Sequence, residues 1–112
     1  MYPAIPGVEI AEKTVRTSGG YTLSVKCAGP DSGKPILFLH GFPEFWYGWR
    51  KQIPYFVAKG YRVIVPDQRG YNDSDKPERI SEYSIVQLAE DVAAIVRQLK
   101  LDETVLVGHD WG

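Results

Sequence analysis

Gly108 and Gly112 bracket an aspartate, Asp110, in the run VGHDWG that closes the sequence. The apolar residues TVLV stand just before it, so the order predicts a strand, a sharp turn and then a helix. Small residues suit such a turn, because the backbone bends hard and neighbouring segments come close. A side chain at the centre of the bend is lifted clear of the sheet edge, beside backbone N–H groups. In G-x-S-x-G turns, the nucleophile elbows, a serine holds that place and attacks acyl carbon. Serine attacking an sp³ carbon would form an ether, which water does not readily cleave. A carboxylate making the same attack forms an ester, and water can open an ester at the aspartyl carbonyl. Aspartate here therefore points to alkyl transfer, by opening an epoxide or displacing a halide. The plainer role for Asp110 is to cap the next helix; the strand-turn context favours the nucleophile.

Two further stretches carry marked sequence after apolar runs. HGFPEFWYGW (40–49) follows PILFL, and DQRGYNDSDKP (67–77) follows YRVIVP. Ligand chemistry in open α/β sheets gathers beyond the carboxyl ends of the strands, so three such stretches in turn outweigh any one motif. Aromatic runs build core or line apolar sites. Trp49 is assigned to the core, and Phe45 and Trp46 to the walls of an apolar binding site. Asp67 and Arg69 are read as structural hydrogen-bonding residues of their turn. His40 and His109 are read as structural too, since each sits beside its motif's functional atom.

These stretches need elements to position them. Residues 8–17 and 21–28 read as an antiparallel hairpin, with Gly19 and Gly20 supplying positive φ. In the second, Tyr21, Leu23, Val25 and Cys27 alternate with polar residues, as on a half-buried strand. PILFLHG (35–41), YRVIVPD (61–67) and ETVLVGH (103–109) are short continuous apolar runs, which suggests parallel strands covered on both faces. A helical segment over roughly 45–59 contains Pro54, expected to end or kink it. A clearer helix follows Ser84, with Ile85, Leu88, Ala89, Val92, Ile95, Val96 and Leu99 on one face. Ser84 and Gln87 fit a capping box at its start. The order β-β-β-α-β-α-β is the opening of an α/β sheet protein, with right-handed crossovers joining its last three strands.

The 112 residues carry 13 Lys+Arg against 14 Asp+Glu, a net charge of −1, which argues against nucleic acid as a partner. A hydrophobic content of 44% fits a globular chain. Cys27 is the only cysteine, so neither an internal disulfide nor a multi-cysteine metal site can form. It reads as a small buried side chain. No signal peptide is visible and no apolar run approaches the ~20 residues of a membrane span, so a cytoplasmic protein without cofactor is expected.

Together HGFPEFWYGWR, DQRGYNDSDKP and VGHDWG closely resemble the α/β-hydrolase epoxide hydrolases. The resemblance covers nearly the whole chain and implies that Asp110 is the nucleophile. It implies the backbone N–H groups of Phe42 and Trp111 as oxyanion donors, both residues also contacting substrate, and Glu44 as a residue that helps hold the hydrolytic water. A small apolar epoxide is the implied substrate. Gln68 and Asn72 stand where the family often has other residues, commonly glycine at the second. The haloalkane and haloacid dehalogenases of the same fold share the aspartate elbow; Phe42 and the FWYGW run tilt the comparison to epoxide hydrolase. A water-activating histidine with its acid partner, and a cap domain bearing tyrosines, would follow the nucleophile in chain order. Residues 1–112 are therefore expected to form a partial core domain, inactive alone, with its last strand an uncovered edge. A non-catalytic remnant or interaction module is the reading from another class.

Overall fold

The computed structural model describes residues 5, 7–17, 19–41, 45–77, 83–101 and 103–109. Strands β1 (Ala11–Arg16) and β2 (Thr22–Ala28) form the expected hairpin, with Val15 opposite Leu23. Its turn closes through a 2.8 Å bond from the Thr17 N–H to the Tyr21 carbonyl. Of the two glycines expected in the left-handed region, only Gly20 adopts it, at φ +87°. Strands β3 (Pro35–Leu39), β4 (Arg62–Pro66) and β5 (Val105–Gly108) run parallel, with β3 between the other two. β2 joins β4 antiparallel, giving a mixed five-stranded sheet in the order β1-β2-β4-β3-β5.

The continuous apolar runs are explained by which face each residue serves. Leu37, Leu39 and Ile64 pack with Ala94 and Ile95 of helix α2 (Ile85–Gln98), together with Val15, Leu23, Val25 and Cys27. Ile36, Phe38, Val63 and Val65 pack on the other side, against Trp46 of a 3₁₀ turn (Trp46–Trp49) and Ile53 of helix α1 (Gln52–Ala58). Alternate residues of β3 and β4 thus bury against different layers, and neither face can be polar. Each such side chain contributes roughly 1.5–3 kcal/mol by burial, against about 0–1 for an exposed ion pair. Two-sided apolar burial is the main force holding the sheet.

Three local expectations change. Pro54 does not end a helix; it lies in the first turn of α1. The first four N–H groups of a helix have no partner within it, so a residue without one is harmless there. β2 is not half-buried, because Ser24 and Lys26 are as inaccessible as the apolar residues between them. It is an interior strand flanked by β1 and β4, and its polar side is covered as well. β5 lies at the sheet edge, so its run is not covered on both faces: Val105 and Leu106 are exposed, at 37% and 57%. The capping box at Ser84 and Gln87 is present. The face of α2 starts exposed at Ile85 and becomes buried from Asp91 onward, at Ala94 and Ile95. Among the described residues no helix is long and apolar enough to cross a membrane.

Cys27 is buried in the sheet, and burial pushes its thiol pKa up. The thiolate is the reactive form. The native chain is therefore expected to react with a thiol reagent at least tenfold more slowly than the urea-unfolded chain. Equal rates under the two conditions would contradict the placement of Cys27 in the core.

Candidate active site at the carboxyl edge of the sheet

The parallel pairing brings the three marked stretches to one edge. His40 follows β3, Asp67 follows β4 and His109 follows β5. Leu39 lies opposite Gly108, and the His109 N–H donates to the Leu39 carbonyl at 3.2 Å. The HGFP and GHDWG stretches therefore start from neighbouring points. Asp110, Trp111, Phe42 and Glu44 themselves lie outside the described residues; the described part is the frame from which they depart.

That frame is built on buried polar groups. Asp67 is 0% exposed. Its Oδ1 accepts the Trp46 N–H at 2.9 Å, and its Oδ2 accepts from Asn72 Nδ2 at 2.8 Å. Its backbone carbonyl accepts from the Ser74 hydroxyl. Asn72 takes φ +45°, a left-handed conformation that asparagine tolerates, so its departure from glycine costs little. Lys26 reaches this carboxylate from β2, 3.8 Å away, and also meets Asp73 at 3.4 Å and Glu12 at 3.0 Å. Its ammonium lies 5.8 Å from the centre of the Trp46 ring.

Arg69 turns instead toward α2. Its guanidinium makes a two-pronged bond to buried Asp91, at 2.9 and 2.7 Å, and lies 4.9 Å from the Tyr21 ring. Burial pushes the Asp91 carboxyl pKa up, opposed by the hydrogen bonds and charge of Arg69. The structural reading of Asp67 and Arg69 therefore matches their bonding, although Arg69 reaches beyond its own turn. Gly70 has φ +90°, and a side chain there would press within 2.7 Å of Tyr83.

His40 is 1% exposed and bridges the loops after β3 and β4. The Gln68 N–H donates to His40 Nε2 at 2.9 Å, and Gln68 Nε2 donates to the His40 carbonyl at 2.7 Å. A backbone N–H can only donate, so Nε2 accepts and the neutral ring carries its proton on Nδ1. Nδ1 lies 3.1 Å from the Gly41 carbonyl. Both nitrogens are thus engaged, in line with a structural role. The ring of His109 packs edge-on to Trp49, with centroids 6.4 Å apart.

Trp49 also lies 4.7 Å from Phe38, on the core as expected. Trp46 is itself buried in that layer, while Phe45 is half-buried beside Tyr47. A mostly apolar hollow of about 250 Å³ opens beside Gly41, lined by Gln68, Tyr71, Tyr83 and Leu88. Among the described residues no cluster of His, Cys, Asp or Glu is arranged to hold a metal ion. Sequence reasoning missed Lys26 and Asp91. An acidic residue on the apolar side of α2, next to a loop holding one arginine, was the available signal for Asp91. No spacing relates Lys26 to Asp67; only the pairing of β2 with β4 does.

A family model described as alpha/beta hydrolase fold matches residues 34–112. With that match and this sheet, the chain belongs to the α/β-hydrolase fold family. It is 53% identical over 95 residues to the AB hydrolase superfamily protein YfhM of Bacillus subtilis, covering 85% of this chain and 33% of the relative. It is 43% identical over 105 residues to epoxide hydrolase 2 of Siraitia grosvenorii, covering 94% of this chain and 33% of the relative. The crystal structure of epoxide hydrolase VrEH1 from Vigna radiata superposes with a TM-score of 0.87 at 42% identity, over 98% of this chain and 34% of that one. The chain thus spans about a third of the length of these relatives.

Two stability predictions follow from the Lys26 cluster. Lys26→Met leaves Asp67 buried without its cation and is expected to cost roughly 3–5 kcal/mol in urea unfolding; a loss under about 1 kcal/mol would show the pair is not needed. Hydrogen bonds from Ser24 and Lys26 hold the Glu12 carboxyl below its ordinary value of 4.5. Such a group stabilises the fold above 4.5 and ceases to do so as pH falls through its lowered native value. Glu12→Gln should therefore be the less stable chain at neutral pH, by under about 1 kcal/mol at this exposed position. The gap should close in acid, and a gap that widens there would contradict the assignment.

Proposed function

We propose that this chain supplies the nucleophile-bearing part of an epoxide hydrolase that converts a small apolar epoxide and water to a vicinal diol. The observation that carries it is that Leu39 and Gly108, from which the HGFP and GHDWG stretches continue, lie side by side at one sheet edge, tied by the bond from His109 to Leu39. The epoxide hydrolases among the chain's relatives support the substrate class. In this reading an Asp110 carboxylate oxygen attacks an epoxide carbon, the ring C–O bond breaks, and the released alkoxide takes a proton. Water, losing a proton to a base, then adds to the aspartyl carbonyl carbon. The N–H groups of Phe42 and Trp111 stabilise the oxyanion formed there. Collapse of the oxyanion expels the diol, protonated as it leaves, and restores the carboxylate.

Glu44 helps to hold that water, and Phe45 lines the apolar site with Trp46 packed behind it. The length shared with the relatives supports residues 1–112 as part of a core domain, the cap and the remaining half belonging to a longer polypeptide. A base placed after the nucleophile would belong to that remainder. A single buried thiol accords with a reducing compartment, and we assign the cytoplasm.

The 112-residue chain mixed with styrene oxide is expected to gain one alkyl ester, mapped to Asp110 by mass spectrometry, without steady diol release. Asp110→Asn should gain none. Steady diol formation abolished by that substitution would overturn the inactivity of the chain alone, and absence of the ester would overturn the nucleophile. Halide release from a chloroalkane, with no ester from the epoxide, would favour dehalogenation instead.

A further inference from the structure

We propose that two copies of this chain pair through β5, their edges meeting antiparallel about a two-fold axis beside Leu106, and that the assembly closes at two because β1 is already occupied. The inference rests on the described strands and not on the roles proposed for Asp110.

A strand at the edge of a sheet presents unpaired N–H and C=O groups that another chain can continue. Among the described residues β5 has a strand neighbour on one side only, β3, and the other sheet edge is β1. The two edges are not equivalent. In an antiparallel pair, alternate residues turn their backbone groups toward the partner. On β1 the Thr17 N–H turns inward to Tyr21, so Arg16 turns outward. Its N–H donates to Gln98 Oε1 at 3.2 Å, and its carbonyl accepts from Gln98 Nε2. The amide at the end of α2 thus holds the place of a neighbouring strand. Glu12, Lys13 and Arg16 add charge along the same edge.

β5 has neither device. In a parallel pair, too, one residue's N–H and C=O face the partner strand and those of the next face away. His109 donates inward to Leu39, so Leu106 and Gly108 face outward. Val105–Gly108 carries no charge, and Leu106 is 57% exposed. Antiparallel pairing about Leu106 joins its N–H and C=O to those of the same residue in the second copy. Val105 then lies across from Val107, and no like charges are opposed within the strand. The two Leu106 side chains stand side by side on the α2 face, each beside the hollow that Leu106 lines with Ile85, Leu88 and Val92. Apolar cross-strand pairs of this kind stabilise a ladder. A two-fold contact uses the same patch on both chains and therefore closes. Two open edges would instead extend without limit, which the Gln98 contact prevents.

Sedimentation equilibrium of the 112-residue chain is expected to show a reversible dimer, weak because four strand residues bury less than a standard interface. Leu106→Lys changes an exposed position and sets like charges opposite one another. It should raise the dissociation constant at least about tenfold while leaving the far-ultraviolet circular dichroism unchanged. Cys27 is buried, so an introduced cysteine reports the contact independently. Leu106→Cys should oxidise to a covalent dimer, because residues paired in this way lie about 5.5 Å apart, within disulfide reach. Thr14→Cys, exposed on β1, should cross-link at least about tenfold more slowly, since that edge is closed. A monomeric parent, parent-like dimerisation of Leu106→Lys, or equal cross-linking at the two positions would overturn the proposal. Assemblies that grow beyond two with concentration would overturn the closure at β1.

Discussion

A carboxylate sealed from water, that of Asp67, sets the terms for the whole edge where the motifs meet. A buried charge without partners would cost several kcal/mol, so the surrounding chain must arrive with donors in place. Those donors come from three separate segments: the Trp46 N–H after β3, the Asn72 amide in Asp67's own loop after β4, and the Lys26 ammonium from β2. Satisfying one side chain therefore fixes the loop after β3 relative to the loop after β4, and fixes both relative to the hairpin. The geometry of the candidate site inherits that registration.

A second buried pair, Arg69 with Asp91, pins the same loop to α2 on the other side of the sheet. Apolar packing alone could not do this work, because it has little directional preference, whereas a two-pronged guanidinium–carboxylate contact permits one orientation. The layers divide the task accordingly. Apolar side chains on both faces of β3 and β4 hold the sheet, and buried charges orient the loops at its carboxyl edge. Between those anchors the short clasp of His40 and Gln68 carries the orientation to the backbone beside Gly41.

The two outer strands differ in how they face solvent. β1 shows Glu12, Lys13 and Arg16, charges of the kind that discourage pairing with another chain. β5 reads VLVG without a charge, and its exposed Leu106 continues into a hollow with Ile85, Leu88 and Val92 of α2. The apolar surface left open therefore adjoins β5, the strand that precedes Asp110 in the sequence.

Much of the fold was legible without coordinates. The hairpin, the three apolar runs and the Ser84–Gln87 capping box follow from local rules of period and capping, which act within a few residues. The chemistry suggested for Asp110 was legible too, since an aspartate between glycines after a strand constrains which bonds can form and be broken. Those residues lie outside the described part, so their roles stand as proposals. Pro54 was misjudged because a proline's effect depends on which turn of the helix holds it, and α1 begins two residues earlier than the proline. Lys26 was missed because alternation reports one strand, while burial of its polar side depends on a loop residue 47 positions away. By itself the sequence determined most of the elements and singled out the candidate nucleophile. Only tertiary structure decided which charges are buried together and which loops they lock, because those contacts join strands and loops whose separation along the chain carries no periodic signal.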